Sequence, residues 1–437
     1  MSKAKVVFVR PPNLQKSGEW KKQGVIRCPL NLGMLASYIR ESGNYDCSIV
    51  DFEVLPAETP FQMAEIILKQ SPKYVCFTTL TPRFPVVVKI SQEIMKLDSS
   101  VVTIVGGSHV TGTPMTSMYE GIKYGIVGEG ETALLELIDT LEKKRDTGAI
   151  KNLLYRKDGK IKVNPVRPFI KDLDSLPFPA WDLMKIDEYE DPTYFGKGPH
   201  LALFTSRGCP YDCIFCASEV TWKKKLRFRS AESVVDEIRY IADTLKVKNI
   251  AFFDDSFAAD RKRAIDICNR LTAENLNVHY SVQFRADYVS EELVNALKKS
   301  GCCFAGIGVE SGNVDILKKI GKKETKDQFR RAIRIMKEAN LTCFASYIFG
   351  HPGDTHETIK ETMEFAFELD ADQSKFMVLA SYPGTQVYQL ACRKGLVDPY
   401  SFQQMEASNF YDSVAVNLSN VSDDDLLRYQ DEAYARF

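Results

Sequence analysis

Residues 205–218 read TSRGCPYDCIFCAS, and the spacing of Cys209, Cys213 and Cys216 within them, C-x3-C-x2-C, governs the reading of the whole chain. The apolar run LALFT at 201–205 precedes the loop and predicts a buried strand ending where the cysteines begin. Three thiolates on one loop can converge on a metal. A zinc site normally takes four protein ligands drawn as two separated pairs, whereas three close cysteines leave one position free, as an iron–sulfur cluster with one open iron requires. Three incidental loop cysteines are the plain alternative, and the spacing and the place after a strand count against it.

Outward from this loop, apolar strands are predicted at 201–205, 249–253, 278–283, 303–309, 342–349 and 375–380, each separated by a helix-patterned stretch. Six such units make a partial or closed β/α barrel, whose ligand-binding residues lie at the C-terminal strand ends. Towards the N-terminus, strands at 5–9, 48–51, 73–79 and 101–105 alternate with helices at 30–42, at 84–97 and after Gly130. That pattern makes 1–150 a doubly wound, Rossmann-like α/β domain. Between them, 151–200 is expected to be a linker, with prolines at 165, 168, 177, 179 and 192 and a hairpin signal at KDGK. The barrel is expected over 201–395, and 396–437 reads as a short helical C-terminal extension with a helix starting near Ser422.

The 437 residues suit two domains, and with 44% apolar and 26% charged residues a folded protein is expected throughout. A formal net charge of −1 argues against a chain built to neutralise nucleic-acid phosphates, and the basic run Lys223, Lys224, Lys225, Arg227 and Arg229 reads as a solvated face. The opening MSKAKVVFVRPPN has neither the pattern of a signal peptide nor that of a membrane span, so a cytoplasmic location with no membrane partner is expected. There, eleven cysteines are expected to be buried apolar residues or metal ligands rather than disulfides.

With an aromatic residue, Phe215, before its third cysteine, the loop resembles that of the radical S-adenosylmethionine superfamily. In that family the open iron binds the amino and carboxylate groups of S-adenosylmethionine, and an electron from the cluster cleaves it to methionine and a 5′-deoxyadenosyl radical. The resemblance implies cluster ligation by Cys209, Cys213 and Cys216 and S-adenosylmethionine contacts from Phe215. It also implies Asp254 or Asp255 at the methionine amino group and Glu310, in GIGVESGN, at the ribose. Ser311, Arg285 in QFRADYV, Gly350 in YIFGHPGD, and Tyr382 and Pro383 in SYPGT match further strand-end motifs. A lone GxG is often just a tight turn and an Asp pair often a helix cap, so the order of these motifs carries the reading.

The N-terminal loops VGGSHVTGTP (105–114) and VGEGET (127–132) resemble those of the cobalamin-binding domain that precedes many radical enzymes of this superfamily. The resemblance implies cobalamin contacts from Pro11, Asp51, Thr79, Leu80, Thr81, Gly106, Gly107, Ser108, His109, Gly128, Glu129, Gly130 and Glu131. The motif D-x-H-x-x-G, which supplies a lower axial imidazole in other cobalamin proteins, is missing, so no histidine is expected beneath the cobalt. His109 is expected by the nucleotide tail, with a plain polar loop histidine as the alternative, and one of Thr79 to Arg83 or a water is expected to face the cobalt.

The implied reaction is methylation of an unactivated carbon with two S-adenosylmethionines, one remethylating the cobalamin and one supplying the radical. The implied partners are an external electron donor such as ferredoxin or flavodoxin and a substrate that is a peptide, a protein or a small molecule. A glutamine of methyl-coenzyme M reductase is the specific candidate. Three rivals stand: a methylthiotransferase with a second cluster on Cys28, Cys47 and Cys76, a cobalamin-dependent radical cyclase acting on a tetrapyrrole or other small molecule, and a non-catalytic sensing module.

Overall fold

A computed structural model of the chain describes residues 3–12, 25–191, 195, 198–408 and 413–437; Pro192 of the proline cluster lies outside the described residues. The chain forms two compact units, Met1–Glu190 with Asp398–Glu406, and Asp191–Val397 with Ala407–Phe437.

The first unit is a sheet of β1 (Ala4–Arg10), β2 (Tyr45–Asp51), β3 (Tyr74–Thr78), β4 (Val102–Gly106), β5 (Tyr124–Ile126), β6 (Leu153–Lys157) and β7 (Lys160–Val163) in the order β2-β1-β3-β4-β5-β6-β7. The first five strands are parallel. Val6, Val7, Phe8 and Val9 are all fully buried, the continuous apolar run expected of a strand covered on both faces. Alternation then divides them. Val7 and Val9 pack with Met63, Ile67, Val87 and Ile90 from helices Pro60–Leu68 and Phe84–Leu97. Val6 and Phe8 pack with Ala36, Ile39, Leu134 and Leu137 from helices Leu30–Glu41 and Glu131–Glu142. Burial of each such side chain is worth about 1.5–3 kcal/mol, so the two faces together fix the register of β1.

The expected linker over 151–200 is corrected at its start. The KDGK hairpin forms β6 and β7, which add antiparallel to β5 and so extend the sheet. Its basis is local: a two-residue turn at Asp158–Gly159, both with positive φ, joins strands whose apolar residues Leu153 and Leu154 are fully buried. The expected C-terminal extension is divided as well, with Met405 buried in the first unit's core.

The second unit is an open sheet of β8 (His200–Leu203), β11 (Asn249–Phe252), β12 (His279–Phe284), β13 (Cys302–Glu310), β14 (Thr342–Phe349) and β15 (Gln373–Val378), all parallel and in sequential order. Since β8 and β15 do not pair, the barrel is partial. A two-residue ribbon of β9 (Ser206–Arg207) and β10 (Arg227–Phe228) stands beyond β8. Helices start where capping residues allow: Ser230, Asp260, Ser290, Thr325, Thr355 and Thr385 each accept a backbone N–H of the following turn. The C-terminal helix Asp423–Arg436, capped by Ser422, covers the end strand: Gln430 and the Tyr434 hydroxyl both donate to the carbonyl of Phe376 in β15 at 2.9 Å. No helix among the described residues is long and apolar enough to cross a membrane.

Candidate functional site

In the first unit the chain passes from β1 to β2 on one side and then to β3 on the other, so the topological switch lies between β1 and β3, where open α/β sheets bind ligands at the C-terminal strand ends. The loops there are Pro11 after β1, Thr79–Arg83 after β3, Gly107–His109 after β4 and Gly128–Glu131 after β5. Gly107 is required: its φ is +116°, and a Cβ there would lie 2.6 Å from the Thr79 carbonyl oxygen and 2.9 Å from the Thr79 nitrogen. Thr79 in turn donates to the Gly106 carbonyl through its backbone N–H at 2.7 Å and its hydroxyl at 2.8 Å. Together Gly106, Gly107 and the small Ser108 keep the end of β4 free of bulky side chains, a cradle that suits a large flat ligand. Leu80 is the side chain this rim offers: it is 49% exposed, whereas Thr79 and Thr81 are buried and Arg83 pairs with Glu53 at 2.7 Å.

Several residues expected to touch cobalamin also hold parts of the chain together. Asp51 is buried and takes Nε and Nη2 of Arg10, both at 2.6 Å, and the Tyr189 hydroxyl at 3.0 Å, joining the ends of β1 and β2. His109 is 2% exposed, its ring stacked on Phe84 with centroids 4.1 Å apart and Nδ1 3.3 Å from the Thr81 hydroxyl. Burial holds that imidazole neutral, pushing it down to about 3. His109 lies in the short helix Ser108–Gly112, and its side chain braces the β3 and β4 loops from inside. Glu129 is buried and accepts the N–H of Ile170 at 2.9 Å, Glu131 is buried at the start of its helix, and Gly130 packs beside Leu35. Gly128, at φ +80°, donates to the Thr111 hydroxyl at 3.0 Å.

In the second unit the cysteine loop follows β9. Gly208, at φ +96°, turns it where a Cβ would lie 2.3 Å from the Lys225 carbonyl. Cys209, Cys213 and Cys216 are unpaired thiols, each partly exposed. Burial pushes Cys213 up to about 11, against the pull of the Lys322 ammonium, and Cys216 up to about 12; metal binding would displace their protons. Among the described residues no three His, Cys, Asp or Glu side chains converge tightly enough for a single metal ion. Three soft thiolate donors on one loop are the donor set of an iron–sulfur cluster with one open iron. Cys28, Cys47 and Cys76 are all buried: Cys47 and Cys76 sit in the core with Val6 and Phe8, and burial pushes Cys47 up to about 12.

The strand ends around the loop sort the remaining residues. Asp254 is internal: its carboxylate accepts Thr205 N (2.8 Å), Thr205 Oγ1 (2.6 Å), Ser206 N (2.6 Å) and Ser206 Oγ (2.9 Å), and so fixes the chain entering the cysteine loop. Asp255 is exposed and accepts the Ser218 hydroxyl at 2.8 Å, yet desolvation by the protein around it pushes its carboxyl above the ordinary range. Arg285 lies 3.7 Å over the Tyr211 ring, pairs with Asp287 through two nitrogens and donates to the Lys322 carbonyl at 2.9 Å. Glu310, at φ +70° beside a register shift between β13 and β14, meets Lys322 Nζ at 3.3 Å. Ser311 is buried on the Thr362 hydroxyl at 3.1 Å. Gly350 has φ +91° and donates to Asp354 at 3.0 Å. The Tyr382 carbonyl accepts the Thr385 hydroxyl at 2.6 Å, so Tyr382 and Pro383 form the turn into helix Gln386–Arg393. Phe215 packs 5.3 Å from the ring of His351, which is fully buried.

Lys322 and Glu324 went unread in the sequence, where GKKET carries no motif and two adjacent lysines suggest a wet surface. Both are buried: Lys322 Nζ lies 3.3 Å from Glu310 and 3.3 Å from Glu324, and Glu324 lies 3.2 Å from Arg285. Burial works against the ammonium, but the two carboxylates outweigh it and hold Lys322 above its ordinary value.

Comparison with known proteins agrees with both units. Residues 203–366 match the model of the radical SAM superfamily and residues 24–138 that of the B12 binding domain. An uncharacterized methyltransferase of Pyrococcus horikoshii is 34% identical over 401 residues, 91% of this chain and 85% of the relative. The anaerobic magnesium-protoporphyrin IX monomethyl ester cyclase of Rubrivivax gelatinosus is 26% identical, covering 88% of this chain and 69% of the relative. The fold matches that of the radical S-adenosylmethionine methyltransferase TsrM from Kitasatospora setae, solved with cobalamin and a [4Fe-4S] cluster, with a TM-score of 0.74 at 20% identity over 90% of this chain and 75% of that one. A cysteine loop suited to a multi-iron cluster and a switch-point crevice rimmed by glycine thus stand in one chain with both family models, and the chain belongs to the cobalamin-dependent radical S-adenosylmethionine enzymes, whose cofactors are a [4Fe–4S] cluster, S-adenosylmethionine and cobalamin.

Proposed function

We propose that this enzyme methylates an unactivated carbon. The observation that carries the reading is the relative named a methyltransferase, similar over 91% of this chain and so across both domain models. When bound, the cofactors supply a carbon-centred radical that removes a substrate hydrogen and a methyl group that replaces it. The chain's own residues bind and orient. Cys209, Cys213 and Cys216 hold the cluster, and Asp254, with its four hydrogen bonds, sets the approach of the loop. Asp255 receives the amino group of S-adenosylmethionine, because its carboxylate is the exposed one of the pair. Glu310, steadied by Lys322, accepts the ribose hydroxyls, while Gly350, Tyr382 and Pro383 shape strand-end turns around the nucleoside and Ser311, Arg285 and Phe215 support them. Gly106, Gly107, Ser108 and Gly128 would bring backbone close to the cobalamin, and Leu80, the exposed side chain of the loop after β3, would be the one to face it and carries no donor atom for a metal.

The acceptor is a peptide side chain or a small molecule, with a glutamine of methyl-coenzyme M reductase as the specific peptide to test, and an external one-electron donor such as ferredoxin or flavodoxin reduces the cluster. The cyclase relative favours a second reading, ring closure on a tetrapyrrole with the same cofactors. Anaerobically reconstituted protein, given cobalamin, methyl-labelled S-adenosylmethionine and a reductant, is expected to form 5′-deoxyadenosine and to pass label to an acceptor. No 5′-deoxyadenosine refutes radical chemistry; 5′-deoxyadenosine with a consumed tetrapyrrole and no transferred label establishes the cyclase instead.

A further inference from the structure

Ile320 to Glu324 forms a second cradle for the cysteine loop. The N–H of Ile214 donates to the Ile320 carbonyl at 3.0 Å, and the Gly321 carbonyl lies 3.9 Å from the Cys213 sulfur. Gly321, at φ +74°, comes so near that a Cβ there would stand 3.2 Å from the Asp212 carbonyl oxygen and 3.8 Å from Cys213 Cα. On the surface Lys323 pairs with Asp212 at 3.1 Å. Between these contacts Lys322 turns inward, its side chain 7% exposed, its ammonium held at 3.3 Å by Glu310 and at 3.3 Å by Glu324. A buried ion pair is a poor source of stability, since apolar residues of the same volume generally replace it without loss. A cation fixed beside a redox centre has another effect: the potential of an iron–sulfur cluster depends on the net charge, hydrogen bonding and solvent exposure around it.

We infer that Lys322 is a positioning residue that sets the reduction potential of the cluster, its buried ammonium stabilising the reduced, more negative state while Glu310 and Glu324 hold it in place. The step is a one-electron gain by the cluster from an external donor, and the proton on Lys322 stays where it is. Glu310 opposes the effect, as an anion in the same cluster of charges.

The inference rests on ligation by Cys209, Cys213 and Cys216, and it needs neither S-adenosylmethionine nor methyl transfer. The test is an EPR-monitored reductive titration, with dithionite and mediators, of the full-length protein reconstituted with iron and sulfide. In Lys322→Gln the reduced-to-oxidised ratio at a fixed potential is expected to fall by about tenfold or more, equivalent to a midpoint about 59 mV lower for one electron. Lys322→Arg is expected to restore it. Glu310→Gln, which removes an anion and leaves the ammonium, is expected to move the midpoint the other way. Simple loosening of the loop would move both variants in one direction, so shifts of the same sign, or no shift with iron content intact, overturn the inference. If Lys322→Gln holds no iron, the sign in Glu310→Gln decides alone. Retention of iron by Cys213→Ala overturns the ligand assignment and with it the inference; loss of iron there with an unmoved Lys322→Gln potential overturns the inference only.

Discussion

Replacing Asp254 separates an internal support from a cofactor ligand. Its carboxylate accepts two backbone N–H groups and two hydroxyls of Thr205 and Ser206, residues that are at most 1% exposed. In Asp254→Ala the hydroxyls can rotate to other acceptors, but the two amides cannot. Each orphaned donor costs about 1–3 kcal/mol, so the loss is about 2–6 kcal/mol from a total near 5–15 kcal/mol. It falls three residues before Cys209, so iron incorporation is expected to drop with the melting temperature. Asp254→Asn keeps the shape and one carbonyl oxygen for the amides, while its NH2 can donate to the Thr205 hydroxyl. That variant is expected to keep about four iron atoms per chain, the content of one [4Fe–4S] cluster, and to bind S-adenosylmethionine within a few-fold of the parent. Iron analysis, thermal melting and equilibrium binding of S-adenosylmethionine provide the readouts. If Asp254→Asn keeps its iron and its melting temperature but binds no S-adenosylmethionine, Asp254 is itself the ligand and the role given to Asp255 is wrong.

Two further outcomes follow from the first unit. Leu80 is the exposed side chain of the β3 loop, so cob(II)alamin bound to the parent protein is expected to lack nitrogen superhyperfine splitting in its EPR spectrum, and Leu80→His is expected to introduce it; an unchanged spectrum with equal cobalamin binding removes Leu80 from beneath the cobalt. His109 is held neutral at about 3, below the ordinary value near 6.5, so its contribution to stability is complete above about pH 6.5 and is lost as the pH falls towards the folded value. At pH 5 the loss is about 2 kcal/mol. Melting of the parent between pH 7 and 5 should show it, and His109→Phe, which keeps a ring against Phe84, should have the shallower pH dependence; equal slopes contradict a buried neutral imidazole.

Periodicity and spacing were enough for the parts of this protein that depend on local order. Strands with apolar runs such as VVFV announce themselves because both faces of their sheet are covered, and three cysteines on one loop announce a metal because the chain itself brings them together. Asp51, His109 and Asp254 were legible as unusual residues at strand ends, but a sequence cannot tell a carboxylate turned to a ligand from one turned to the chain. That depends on which donors the neighbouring strand brings within hydrogen-bond distance: Thr205 and Ser206 for Asp254, Arg10 and Tyr189 for Asp51. Lys322 and Glu324 were hidden for the same reason. In GKKET they look like a wet turn, and only the packing of that turn against the cysteine loop takes one of its two lysines out of water, where a charge acts at full strength for want of solvent to screen it. The sequence by itself determined the two α/β units, the cysteine triad and the glycine loops, because these are patterns of adjacent residues; the tertiary structure alone decided which carboxylates are free and which cation is buried, because those depend on partners far apart in the chain.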